Sequence, residues 1–168
     1  MTLLKTIFIW MILGISIPMV ASHPNQTCTI FKIERSRNSE KVVYAINHYG
    51  NGKIDMQHPI KVYWEAGKEI KPLTFIQKKY SYGIILKECN SKEISFSIKA
   101  LPEQEFLIKE IEDEGFKAFI SINQKPSVVE KIFIQFKEGT TRSPDITYVE
   151  MVANCCENNE IITKRITP

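Results

Sequence analysis

Apolar residues recur at every second position through most of this chain, in short runs broken by turn residues. Ile94, Phe96, Ile98 and Ala100 alternate with Ser95, Ser97 and Lys99. Phe116, Ala118, Ile120 and Ile122 repeat the pattern, as do Ile132, Ile134 and Phe136, and Ile60, Val62 and Trp64. An extended strand points successive side chains to opposite faces, so each run predicts a strand with one buried face and one wet face. Ile146, Tyr148 and Val152, with Glu150 interrupting, are read as another inward row. Val42 to Ile46 is apolar on both faces, which places it centrally in a sheet. Ile30 to Ile33, Tyr82 to Lys87 and Ile161 to Ile166 supply further strands.

Turn chemistry falls between these runs. Tyr49-Gly50-Asn51-Gly52, Ala66-Gly67-Lys68, Asp113-Glu114-Gly115, Asn123 to Pro126, Glu138-Gly139 and Asn158-Asn159 all carry residues that tolerate tight or left-handed backbone. The acidic run Glu110 to Glu114 leads into Gly115 and reads as a solvated hairpin turn rather than a binding tail. One stretch departs from strand periodicity. From Pro72 to Tyr80, Leu73, Ile76 and Tyr80 stand at helical spacing, which predicts one short helix covering a sheet edge. About nine short strands with one helix specify an all-β, mainly antiparallel fold, either a β-sandwich or a partly open barrel.

The first residues have a different character. Lys5 precedes an apolar stretch from Thr6 to Val20, and Val20-Ala21-Ser22 follows as a small-residue cleavage signal. The stretch is shorter than the roughly 20 apolar residues a bilayer requires, and Pro18 breaks its last turn. Residues 1–22 are therefore read as a signal peptide and 23–168 as a single β-rich domain, exported to the periplasm or the exterior and without a stable membrane span after cleavage. In an oxidising compartment Cys28, Cys89, Cys155 and Cys156 become disulfide candidates. Adjacent cysteines bridge only through a strained ring, so one of Cys155 and Cys156 is expected to join Cys28 or Cys89. Such a bridge contributes roughly 3–5 kcal/mol in the chain-entropy picture. The formal net charge of +3 is weak and scattered, which argues against a nucleic-acid partner.

Chemistry-bearing constellations are sparse. Asn47 to His58 (NHYGNGKIDMQH) has the outline of an EF-hand loop, but Asp55 is its only carboxylate and His58 stands where a bidentate Glu belongs. The loop is read as a turn. His23, His48 and His58 lack ligand spacing, so neither a metal nor a cofactor is expected. There is no Gly-x-Ser-x-Gly elbow, and the paired glutamates Glu65 with Glu69 and Glu110 with Glu112 read as solvent-facing. The densest aromatic and basic cluster is Trp64, Lys78, Lys79, Tyr80 and Tyr82, with Tyr63 close in sequence. Broad rings and long cationic stems of this kind suit a sugar or an anionic surface. The competing reading makes the rings core and the lysines merely wet.

Val42-Val43-Tyr44 with Asn47, Pro59 to Trp64, Phe75-Ile76-Gln77-Lys78-Lys79-Tyr80-Ser81-Tyr82-Gly83, Pro144 to Glu150 and Ile162 to Pro168 form a set of segments. Together they resemble a bacterial family known as domain of unknown function 4833. The resemblance implies an exported bacterial protein and transfers no catalytic or binding residue. The expectation is an envelope binding or interaction module without catalytic activity, whose partner is an envelope protein or glycan. The alternatives are an exported hydrolase built on Glu150 or His58, and a structural envelope component.

Overall fold

A computed structural model describes residues 26–49, 52–90, 92–138 and 145–167. The leader, His23, Asn25, Gly50, Asn51, Gly139 and Pro144 lie outside the described residues. Among the described residues eleven strands and one helix follow one another: β1 (Gln26–Arg35), β2 (Asn38–His48), β3 (Ile60–Ala66), β4 (Glu69–Pro72), α1 (Phe75–Tyr80), β5 (Ile84–Cys89), β6 (Glu93–Ile98), β7 (Leu101–Ile111), β8 (Gly115–Ile122), β9 (Lys125–Phe136), β10 (Ile146–Cys155) and β11 (Ile161–Ile166). They join one sheet in the order β4-β3-β2-β1-β9-β8-β7-β6-β5, with β10 and β11 branching from β9.

The long strand β9 organises this arrangement. Its first part, Lys125 to Val128, pairs with β8, and Lys131 to Ile134 pairs with β1. Its other edge carries β10 from Ser127 to Phe136. The β1–β9 pairing is parallel and the other strand pairings among the described residues are antiparallel. The sheet therefore forks at β9, and its two limbs curl toward each other as an open half-barrel.

Aromatic rings fill the space between the limbs. Phe31 and Tyr44 come from β1 and β2, and Phe96 and Phe106 from β6 and β7. Strands β8 and β9 separate the two pairs within the sheet. Across the interior, however, Phe31 stacks on Phe106 with centroids 5.2 Å apart, and Tyr44 lies 6.3 Å from Phe96. Offset stacking of this kind adds about 0.5–1.5 kcal/mol per pair beyond simple burial. The alternating rows of β8 and β9 point into the same core, and Val42 to Ile46 is fully buried as its two-sided apolar character requires.

Three local readings change. Eleven strands stand among the described residues where about nine were expected; the Glu69–Pro72 strand had no counterpart in that reading, since all of its residues are exposed and burial left no alternation to read. Gly67, at φ 63, turns the chain back to form it. In β10 the buried row is Val149, Met151 and Ala153, not Tyr148 and Val152. Ile146 pairs with Phe136 and Tyr148 with Gln135, so one extra residue between them reverses the parity of everything after it. Finally, the helix begins at Phe75, and Pro72 ends β4.

Candidate functional site

The segment from Leu73 to Gly83 is held to the sheet by polar contacts around a six-residue helix that buries none of its own residues. Thr74 caps it: the Gln77 amide donates to Thr74 Oγ1 (3.3 Å), and the Thr74 amide donates to Gln77 Oε1 (2.9 Å). This reciprocal pair satisfies two amides that a helix start leaves without partners. Gln77 Oε1 also accepts from Trp64 Nε1 at 3.1 Å, tying the helix to β3. Behind it, Tyr82 packs edge-on against Trp64 with centroids 5.3 Å apart, and the Arg35 guanidinium lies 4.1 Å over the indole ring. The Tyr44 hydroxyl donates to the Tyr82 carbonyl at 2.6 Å, and burial pushes the Tyr44 phenol well above its ordinary pKa.

Gly83 completes the attachment. A Cβ at this position would stand 1.8 Å from the Lys78 carbonyl oxygen, so only glycine lets the helix end lie this close to β5. The amides of Ala100 and Lys99 then donate to the carbonyls of Ser81 and Gly83 at 3.0 and 2.8 Å.

The structure thus divides the five residues singled out above. Trp64 and Tyr82 are 7% and 9% exposed and belong to the interior. Lys78, Lys79 and Tyr80 lie on the outer side of α1, with Lys79 Nζ 5.0 Å from the Tyr80 ring centre and 5.9 Å from that of Phe75. Phe75, Ile76 and Tyr80 are 75%, 68% and 63% exposed. The helical spacing of Leu73, Ile76 and Tyr80 identifies a common face without saying which medium that face meets, and Ile76 and Tyr80 meet water. Leu73 is buried, but it precedes the helix.

Beside the helix lies a cleft of about 430 Å³ whose floor is Ile60, Val62 and Leu73. Lys78, Lys61 and His58 line it, and no acidic side chain does so among the described residues. His58 is brought there by the loop after β2. Asn47 Nδ2 donates to the His58 carbonyl at 2.6 Å, and Asp55 Oδ1 accepts from the amides of Gln57 and His58 at 3.0 and 3.3 Å. Burial raises the Asp55 pKa, but the two amides and the Tyr49 hydroxyl outweigh it and hold the carboxyl below its ordinary range. Asp55 is thus engaged in closing a turn. His48 instead lies over Phe116, with ring centres 6.0 Å apart.

The remaining candidates are dispersed. Glu150 accepts from Arg165 Nη2 at 2.6 Å across β10 and β11. The four cysteines are unbridged: Cys28 pairs with Ile46 in the β1–β2 ladder, Cys89 Sγ lies 3.7 Å from Met56 Sδ, and Cys155 pairs with Ser127 at the end of β10. Burial pushes the thiols of Cys89 and Cys156 upward, the opposite of what activates a nucleophile.

No curated protein and no solved structure matches this chain. A family model does, over residues 31–165, and that span contains both the helix attachment and the cleft. Within the matched span, in the segment Phe75 to Gly83, Gln77, Tyr82 and Gly83 hold the helix in place, while Phe75, Ile76, Lys78, Lys79 and Tyr80 are left at the surface. The chain belongs to the family described as domain of unknown function (DUF4833).

Proposed function

We propose that this protein is an exported binding module of the bacterial envelope, with α1 and the cleft beside it as its contact surface and an anionic envelope glycan, such as a peptidoglycan fragment, as its partner. The observation that carries this reading is the exposure of Phe75, Ile76 and Tyr80 beside Lys78 and Lys79 on a helix fastened at Thr74, Gln77 and Gly83. Flat rings stack on the apolar faces of sugars, and lysines on the helix and in the cleft attract their carboxylates. A surface already fixed in place loses little conformational entropy on binding.

The leader, residues 1–22, would deliver the domain to the periplasm or the exterior. Binding is the whole of the proposed activity, with no catalytic step assigned. Calorimetric titration with soluble peptidoglycan fragments tests it. Affinity should fall at least ten-fold in a Lys78→Glu, Lys79→Glu double variant, with the unfolding midpoint unchanged. Undiminished affinity in that variant would remove α1 from the contact surface. Retention of a proteinaceous envelope partner by the same surface, with no glycan binding, would replace the glycan.

A further inference from the structure

At another place in the half-barrel the interior is not filled. A cavity of about 140 Å³ lies where the β6–β7 turn faces β10 and β11. Its inner wall includes Ile98, Ile132 and Val149, which are 1%, 0% and 5% exposed. Its rim includes Ala100, Leu101 and Ile166, which water reaches. The described lining side chains are aliphatic apart from Tyr82. The space is therefore apolar, deep at one end and open at the other.

Two local features produce the opening. Between β6 and β7 the register jumps, with Ser97 facing Glu105 but Ile98 facing Leu101, so the β7 strand bows outward at its start. The turn residue on the rim is Ala100, whose methyl group is too small to close the mouth. Natural cores hold few voids larger than a water molecule, so an open one this size is a departure from ordinary packing. Water gains little from it, because a buried water needs two to four polar partners. An apolar cavity of about 150 Å³ is known to stay dry and accept a molecule the size of benzene.

We propose that this cavity is a binding site for the terminal carbons of an unbranched acyl chain, which enters tail first and leaves its polar head at the rim. A buried inner wall with an exposed rim favours a chain over a compact solute, since a chain fills the depth while its head stays hydrated. The site adjoins the α1 attachment through Tyr82 and Ala100 but shares no residue with the exposed face of α1, and it does not depend on the glycan reading.

Methyl NMR of the isoleucine-labelled protein tests the proposal, with hexanoate and hexan-1-ol as probes and acetate as the tail-less control. Both six-carbon probes should shift the lining isoleucines, Ile98, Ile132 and Ile166 among them, in a saturable manner and leave Ile94 and Ile108 unmoved. Acetate should shift none of them. Val149→Phe fills the cavity and Ala100→Phe blocks its mouth from an exposed position, so each should weaken binding at least ten-fold. Ala100→Phe keeps the test valid where Val149→Phe disturbs folding. Absence of saturable shifts, equal shifts at Ile94 and Ile108, or full binding by folded Ala100→Phe would overturn it. A response to hexanoate alone would also overturn it, by making the head rather than the tail the recognised group.

Discussion

The ring-filled interior and the α1 segment are held in place by opposite means. Between the limbs, Phe31, Tyr44, Phe96 and Phe106 are fixed by burial and stacking, with exposures of 2% or less. On α1 no residue is buried, and the helix keeps its position through Thr74, Gln77, the Trp64 indole and the bare backbone of Gly83. The first region tolerates little loss of volume, because close-packed rings have no spare space to relax into. In the second, Phe75, Ile76, Lys78, Lys79 and Tyr80 are exposed, while Thr74, Gln77 and Gly83 carry the attachment. Exposed side chains held in this way are expected to be replaceable without disturbing the fold beneath them.

That contrast is open to breakage at graded strength. Phe106→Ala removes a fully buried ring from the centre of the stack and should lower unfolding free energy by about 3–5 kcal/mol in urea titration. A loss under about 1 kcal/mol would mean that the limbs do not meet there. Gly83→Ala forces a Cβ into the Lys78 carbonyl and should cost about 1–3 kcal/mol, with a change in Trp64 fluorescence as the helix end lifts. Gln77→Ala removes the side-chain half of the reciprocal cap and the indole contact, and about 1–2 kcal/mol is expected from the same titration.

A smaller effect is expected at the loop that carries His58, where the sign of the pH dependence is informative. The folded carboxyl of Asp55 titrates below its ordinary value of 3.8, so its contribution is present above that value and is lost as pH falls through the folded one. Asp55→Asn should therefore be less stable than the parent at pH 6, and the two melting curves should converge under strong acid. Curves that stay equally far apart down to low pH would show that the carboxylate charge is not what closes the turn. Least of all, serine at Phe75, Ile76 or Tyr80 should change stability by no more than about 0.5 kcal/mol. A larger loss at any of the three would transfer that residue from the surface to the framework.

How much was legible depended on what each residue touches. In β8, and in β9 from Ile132 to Phe136, the apolar alternation matched burial residue for residue, because those stretches carry no extra residue and keep the period of two. In β10 the same logic failed after Ile146, since a bulge has no apolar signature and yet reverses every later side chain. The aromatic and basic cluster was visible as composition, but not its division. Trp64 and Tyr82 are drawn inward by each other and by Arg35, whereas Tyr80 sits on a helix too short to present a buried face. His58 stood out in the sequence only for metal or hydrolytic chemistry and Lys61 not at all, because it is β3 and the loop before it that bring them to Lys78.

From the order of residues alone come most of the strands, most of their inward faces, the hairpin turns and the family. These follow from local rules: side-chain alternation, backbone permission at Gly and Asn, and a shared string of residues. Tertiary structure alone decided that β9 forks the sheet, that two limbs enclose four stacked rings, that the helix wears its apolar residues outward and that an apolar cavity opens at the β6–β7 turn. Each of these depends on contacts between segments far apart in the chain, and no periodicity within one segment records what will lie against it.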